Sequence, residues 1–475
     1  MRDPAAADRS SPTLTLIATG IGVTLIILDV TVVNVALERI QATFATSVTG
    51  LQWVMNAYTL AFASLMLTAG ALGDRLGARR VFVAGFVLFT LASLACGMAT
   101  GLAMLVVARV VQGIGAALCL PSSLALLSVS FPAPAAKAKA VAIWSAIGGL
   151  ALAAGPVVGG ILVDRLGWPS IFFINLPFGA LGIWLTLRYA PPAARAVRRG
   201  LDPAGQILAI VALCGLTTLF IQSGPLGWLH PLVIASGVMF VVAAATFIVV
   251  ESRSPDPMLP LMLFRSGAVS ASCIVGLLTN FAFYGLMFVL SLFFQVVKGF
   301  SPLQAGLAFL PMTALVTIGN LVAGWLTARY GARLPMVAGQ ALAAAGYLAL
   351  ASIGSDTSYA AIIAPLLAAG FGTSLTVPSM TTAVLAHVER QRAGIASGVL
   401  NAARQIGGVI GVGAFGSLIA AHGGDLIGGM RLAQLAAGAA LVLGCGVSAF
   451  GLPVPARSRP CPEGARPCPV SDDVM

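Results

Sequence analysis

The feature that most constrains this chain is a series of fourteen apolar stretches, each long enough to cross a lipid bilayer. A membrane-spanning helix needs about 20 mostly apolar residues, and little sequence separates one stretch from the next. Their ranges are 13–37, 51–72, 80–99, 102–126, 139–162, 168–187, 203–222, 229–250, 268–296, 303–327, 334–353, 358–384, 394–420 and 431–452. The chain is therefore predicted to be an all-α integral membrane protein.

The composition agrees with a membrane protein. Hydrophobic residues make up 59% of the 475 residues and charged residues only 9%, too few charges to cover the surface of a soluble globule of this size. The stretches are too long for the strands of a membrane β-barrel, which need about 9–11 residues. The 54 glycines suit helices that pack closely in lipid.

The basic residues are sorted by side of the membrane, which argues against nucleic acid as the partner of a chain with net charge +11. Arginines and lysines concentrate in the connections on the same side as the N-terminus, whereas the opposite side has few. Cytoplasmic loops are enriched in Lys and Arg. Both termini are therefore predicted to be cytoplasmic, in an inner (plasma) membrane. The few basic residues of the other side are Arg39, Arg165, Lys298 and Arg431.

An internal repeat divides the chain into two halves. The run GALGDRLGAR at 70–79 returns as GWLTARYGAR at 324–333. A second set returns at a similar offset, with Gly113, Gly115, Leu118, Pro121 and Ser122 matching Gly370, Gly372, Leu375, Pro378 and Ser379. Such duplication predicts parallel six-helix halves around a central transport site. The predicted parts are a cytoplasmic tail at 1–12, bundles at 13–188 and 268–452, two extra helices with cytoplasmic linkers at 189–267, and a disordered cytoplasmic tail at 453–475.

Several motifs resemble the major facilitator superfamily, specifically its fourteen-helix drug:proton antiporters. The loop GALGDRLGARR at 70–80 is similar to the superfamily's signature between helices two and three, and LDVTVVNVAL at 28–37 to the first-helix motif of this branch. The runs at 108–113, 155–160, 294–306 and 401–405 also match in the expected order. Within the branch the chain looks similar to the methylenomycin resistance proteins. One departure is Pro169, which stands where the family usually has an arginine after a tryptophan.

This resemblance implies the major facilitator fold, with two six-helix bundles and two extra transmembrane helices between them. It also implies a cytoplasmic gate in the first loop and an antiporter motif in helix five. The gate residues are Gly70, Asp74, Arg75, Gly77 and Arg79, and the antiporter residues are Gly155, Pro156, Gly159 and Gly160.

Asp29 and Arg109 are expected to lie at the same depth in the membrane. At 1.5 Å per residue, each is roughly 10 to 12 Å below the outer ends of its predicted helix. Asp29 is the only acidic residue well inside any of the fourteen stretches, and a carboxylate at that depth must be neutralised or paired. We therefore expect Asp29 to carry the coupling proton and Arg109 to tune it. A static ion pair that only joins two helices is the alternative.

The gate and the antiporter motif each have a simpler interpretation. Asp74 is expected to meet the positive start of helix thirteen near Gly394 and to latch the cytoplasmic face. The alternative is that Gly77 only permits a tight turn and that the arginines only keep the loop on the cytoplasmic side. Gly155 and Gly159 are spaced as a small-residue packing face, and Pro156 predicts a kink. This seam either permits the halves to rock without a leak or is plain tight packing.

Polar residues within the spans are candidates for the wall of a substrate cavity. Arg404 lies about ten residues into helix thirteen, too deep for easy snorkelling, and either contacts anionic or carbonyl groups of a substrate or is capped by backbone carbonyls. Asp29 is consistent with a cationic substrate and Arg404 with an anionic one, so antibiotics, dyes and metabolites stay open. The candidates are Asn34, Gln112, Asn280, Tyr284, Gln295, Asn401 and Arg404.

No catalytic, cofactor-binding or metal-binding pattern stands out. The three histidines are scattered, and the lysines form no phosphate-binding loop, so the energy for transport must come from an ion gradient. The sequence predicts a monomeric, proton-coupled exporter of small drug-like compounds that is not an enzyme. The alternatives are an uptake symporter of the same fold and a non-transporting membrane sensor or scaffold.

Overall fold

A computed structural model describes residues 11–192, 202–389, 392–423 and 425–452. These residues form fourteen long α-helices. They are α1 Pro12–Phe44, α2 Val48–Leu76, α3 Ala78–Gly97, α4 Leu102–Ser130, α5 Pro134–Leu166, α6 Asn175–Tyr189, α7 Pro203–Leu226, α8 Pro231–Arg253, α9 Gly267–Leu292, α10 Pro302–Tyr330, α11 Arg333–Leu350, α12 Tyr359–Ala386, α13 Ala393–Ala421 and α14 Leu426–Gly451. The predicted C-terminal tail and most of the predicted N-terminal tail lie outside the described residues, as does 193–201 in the first linker.

Each predicted apolar stretch corresponds to one of these helices. Among the described residues, 13 helices are long and apolar enough to cross a membrane. The remaining helix, α11, has 18 residues and begins at Arg333. It packs along α12 and α14, with Gln340 and Tyr347 fully buried, so α11 completes the second bundle. Several helices extend past the predicted ends, and α1 continues to Phe44.

The two copies of the repeated loop end their helices in the same way. Gly77 follows α2 with a φ of 95°, and Gly331 follows α10 with a φ of 77°. This left-handed region is open to glycine and costly for other residues. In both copies the N–H of that glycine donates to a carbonyl four residues earlier, Gly73 or Thr327. The sequence repeat is therefore also a repeat of local structure.

The close helix crossings are repeated as well. In the first bundle, α3 and α4 approach until a Cβ on Gly115 would lie 2.6 Å from the backbone nitrogen of Phe89. In the second bundle, a Cβ on Gly339 of α11 would lie 2.6 Å from the carbonyl oxygen of Gly372 in α12. Lipid supplies no hydrophobic force between helices, so small residues that allow close backbone approach hold such pairs together.

The extra helices α7 and α8 form a hairpin beside the line where the two halves meet. Gln206 of α7 donates to the carbonyl oxygen of Ser64 in α2 over 2.9 Å. Near the other end of α7, the hydroxyls of Ser223 and Ser417 lie 2.9 Å apart, which joins α7 to α13. Most of α8 faces outwards with exposed apolar side chains. The hairpin therefore lies between the bundles in sequence but at the periphery in space.

Candidate functional site

A buried ion pair lies at the centre of the first bundle. Arg109 of α4 donates through Nη1 to Oδ2 of Asp29 in α1. Asp29 is 0% and Arg109 1% exposed, so the structure brings the two residues into direct contact away from solvent. Two charges at such a position are costly unless each is paired and hydrogen-bonded.

Neutral polar side chains complete the surroundings of the carboxylate. Gln112 donates to Oδ1 of Asp29 over 2.8 Å and accepts from Arg109 Nη1 over 2.7 Å. Its amide also donates to the hydroxyl of Ser93 in α3 over 2.9 Å, and Asn175 of α6 donates to the same hydroxyl over 3.2 Å. Both oxygens of Asp29 therefore have partners, within a network that joins four helices.

A fifth helix, α2, holds the arginine in place. Arg109 Nε donates to the carbonyl oxygen of Val54 over 3.2 Å. The ring of Tyr58 lies under the guanidinium, 4.3 Å from Cζ to the ring centroid, and the Tyr58 hydroxyl donates to the carbonyl oxygen of Ile26 in α1 over 3.3 Å. A cation over an aromatic face is stabilised, and more so when water is absent. Protonation of Asp29 would remove the charge that this whole cluster is built around.

The two halves contact each other closely at one end of the molecule, the end opposite the described termini. Gln52 near the start of α2 donates through Nε2 to the carbonyl oxygens of Val412 and Gly413 in α13, over 3.1 and 2.7 Å. Ser291 of α9 donates to the carbonyl oxygen of Asn34 in α1. These contacts close that end.

The helix-five motif lies in the same contact region. Gly155 packs on Thr31, and Gly159 packs on Val32, both of α1. On another face of α5, a Cβ on Gly160 would lie 2.7 Å from the Cα of Leu303 in α10. Pro156 stands inside α5, and its carbonyl oxygen touches Gly306 of α10. The four motif residues thus form a seam that joins α5 to both halves at once.

The predicted gate loop lies at the opposite end. Arg79 donates to the carbonyl oxygen of Leu187 in α6, which fixes the loop to its own bundle, and Asp74 and Arg75 are exposed. A Cβ on Gly394, near the start of α13, would have no atom within 4 Å, whereas a Cβ on Gly398 would lie 2.8 Å from Cδ2 of Leu67 in α2. A latch between Asp74 and α13 stays a prediction.

The predicted cavity residues separate into three groups. Gln112 belongs to the Asp29 cluster and is fully buried. Asn34 and Gln295 lie near the closed end, where Gln295 sits in a single turn of π-helix that extends α9 and donates to the Ser291 hydroxyl over 3.0 Å. The remaining group lies on α9 and α13, and consists of Asn280, Tyr284, Asn401 and Arg404.

Sequence reasoning missed several polar residues of these sites, namely Gln52, Tyr58, Ser93 and Asn175. Each is an uncharged polar residue within an apolar helix. That pattern is visible in the sequence and indicates a side chain that is buried away from lipid and hydrogen-bonded. The partner of each side chain depends on how the helices rotate and pack against one another. The position of a residue along its helix does not predict that.

Replacing Gln52 should loosen the closed end. Gln52→Ala removes two hydrogen bonds between the halves, each worth about 1 kcal/mol, and should raise the population open at that end by roughly tenfold or more. A single cysteine at Asn280, in a background without other cysteines, should then react faster with an impermeant thiol reagent added from that side. Gln434→Ala is the control, because Gln434 is buried within α14. An unchanged reaction rate would show that Gln52 does not hold the halves together.

Comparison with known proteins places the chain in a family. The model of the Major Facilitator Superfamily matches residues 19–412. The chain is 41% identical over 408 residues to the multidrug resistance protein Stp of Mycobacterium tuberculosis, covering 86% of this chain and 76% of that protein. It is 40% identical over 453 residues to the methylenomycin A resistance protein of Streptomyces coelicolor, covering 94% of each. A bacterial homologue of the lysosomal transporter Spinster, solved in an inward-facing and unoccupied conformation, shares the fold with a TM-score of 0.65 at 18% identity, covering 94% of this chain and 99% of the other. The chain belongs to the major facilitator superfamily, as its motifs and its duplicated helical bundles indicate.

Proposed function

We propose that this protein exports small drug-like compounds across the plasma membrane in exchange for protons, by alternating access. The observation that carries the proposal is the buried Asp29 carboxylate, held by Arg109 and Gln112 in a bundle whose two halves meet closely at one end. The names of the two relatives support export of toxic compounds, because both are resistance proteins.

The orientation of the chain assigns the closed end to one side of the membrane. The basic residues favour cytoplasmic termini, so the end closed by Gln52 and Gly160 would face outwards. The opposite end would then face the cytoplasm, the side from which an exporter takes its substrate.

Helix α1 links the proton site to the contact between the halves. Asp29 is followed by Thr31 and Val32, which pack on the glycine seam of α5, and by Asn34, whose carbonyl oxygen accepts from Ser291 in the second half. A change in charge at Asp29 alters the attraction between α1 and α4. The contact at Asn34 lies within two helical turns of Asp29 on the same helix, so a shift of α1 would also affect this contact. In the proposed cycle, proton binding and release at Asp29 therefore bias the opening and closing of the outer end.

The glycine seam and the gate loop would serve the two ends of this cycle. At the outer end, Gly155, Pro156, Gly159 and Gly160 keep α5 close to α1 and α10 and so limit leakage. At the inner end, Asp74 would latch the loop 70–80 to the start of α13 when that side closes, where a charge at a helix terminus contributes up to about 2 kcal/mol.

Asp29→Asn should abolish proton-driven transport. The asparagine keeps the size and a hydrogen-bonding side chain but cannot titrate, so uphill export in proteoliposomes with an imposed pH gradient should be lost. Exchange of substrate down its own gradient should persist in the folded variant, because the side chains predicted to contact the substrate are unchanged. The matched control is Asp164→Asn, at an exposed carboxylate near the end of α5, which should transport normally. Full coupled export by the Asp29 variant would leave the ion pair as a structural element only.

The proposed orientation can be tested on the extra hairpin. A single cysteine at Ser254, which follows α8, should be cytoplasmic, and one at Ser355, between α11 and α12, should be external. In intact cells an impermeant thiol reagent should label the second and spare the first. Labelling of the cysteine at Ser254 from outside would overturn the topology and, with it, the assignment of the closed end.

A further inference from the structure

Arg404 lies in the interior of the second bundle, near the middle of α13. Its side chain runs across α9, where a Cβ on Gly276 would lie 3.0 Å from its Cγ. Tyr284 of α9 lies near Arg404. Both helices also contact the first half, α13 through α2 and α9 through α1. Arg404 is therefore on the side of the second bundle that faces the space between the halves.

The hydrogen-bonding capacity of this arginine is mostly unused. A guanidinium has five N–H donors, yet Arg404 makes one bond to the protein in the described structure, from Nη1 to Asn401 Oδ1 over 3.3 Å. Its Nε is buried without a partner. The ion pairs between two described residues join Glu38 to Arg39, Asp29 to Arg109, and Glu389 to Arg392. None of them includes Arg404.

Other arginines show what a structural role looks like in this protein. Arg431 donates through Nε to the carbonyl oxygen of Ala351 over 3.2 Å, and Arg79 donates to that of Leu187. Arg404 donates to no backbone carbonyl among the described residues, so carbonyl capping does not account for it. A charge in the middle of a spanning helix is costly unless it is paired or hydrogen-bonded, so this arginine is poised for a partner.

No acidic side chain among the described residues balances the charge of Arg404. The carboxylate of Asp29 is fully enclosed with Arg109 and Gln112 and is not available to Arg404. The polar residues on this part of α9 and α13 are neutral, and they are Asn280, Tyr284, Asn401 and Gln405. From Asn401 to Ile406, every residue of α13 is half-buried, as expected for a helix that borders an open space.

We propose that Arg404 binds an anionic group, a carboxylate or a similar planar oxyanion, of the transported compound. The planar fork of arginine matches such a group with two parallel hydrogen bonds, and Asn280 and Tyr284 offer neutral hydrogen-bonding groups beside it. This inference rests on the proposed export function, because it assigns the substrate class of the same pathway. In this scheme the first half binds the proton at Asp29, and the second half binds the substrate at Arg404.

Binding to the purified protein tests the inference without any transport. A matched set of probes would share one ring system and differ in charge: 1-naphthoate, 1-naphthamide and 1-naphthylmethylammonium. Calorimetry should show saturable binding that is tightest for the carboxylate. Arg404→Gln should weaken carboxylate binding by about tenfold or more, the equivalent of one hydrogen bond to a charged group, and leave the amide within about twofold. Arg404→Lys should fall between, because it keeps the charge and loses the fork.

A control on the same helix separates local from general effects of charge. Arg392→Gln removes an exposed arginine at the start of α13 and should leave all three affinities unchanged. Equal binding of the three probes by the wild type, absence of saturable naphthoate binding, or full naphthoate affinity in Arg404→Gln would each overturn the inference.

Susceptibility of an efflux-deficient bacterium distinguishes this inference from the export function. Expression of the wild type should protect against carboxylate-bearing antibiotics, and Arg404→Gln should lose that protection. Selective naphthoate binding that depends on Arg404, together with no protection against any compound, would uphold the anion site and contradict export. Protection that is equal for cationic dyes and carboxylates, and unchanged in Arg404→Gln, would uphold export and contradict the anion site.

Discussion

The ion pair between Asp29 and Arg109 determines the arrangement of the first bundle. Burying a charge costs several kcal/mol per ion even after the protein relaxes, and that cost is offset only when both partners and their hydrogen bonds are in place. Here the compensation comes from α1, α2, α3, α4 and α6 together. Loss of one charge would leave the other uncompensated, at a typical cost of about 3–5 kcal/mol. Protonation of Asp29 can therefore change how the helices of the first bundle pack.

The repeat duplicates the packing and not the chemistry. Gly77 and Gly331 end equivalent helices, and the glycine crossings of α3 with α4 and of α11 with α12 correspond. The second bundle has no counterpart of the buried acid among its described residues, and its deep arginine, Arg404, is unpaired. Two halves with one fold therefore present a compensated charge pair on one side and a single positive charge on the other. This asymmetry suits a carrier that handles two different solutes.

Much of the fold could be predicted because its signals are local. The length of the apolar stretches predicted the helices, and the internal repeat predicted the two bundles. The rise per residue predicted that Asp29 and Arg109 lie at one depth. The error at the end of α1, which continues to Phe44, arose because a helix can extend beyond its apolar part. Gln112 and Gln52 show where local signals stop: one joins the Asp29 cluster and the other spans the two halves. Their partners are set by how the helices rotate and meet.

The account depends most on whether Asp29 changes protonation in the folded protein, and infrared difference spectroscopy across a pH titration measures this directly. Wild-type protein in lipid should show a protonated-carboxyl band that grows as the pH falls, and Asp29→Asn should lack that band while the bands of exposed carboxyls remain. This result is expected if the ion pair opens to accept a proton. Identical difference spectra for the two proteins would show that Asp29 stays ionised beside Arg109, and would contradict the proposed coupling.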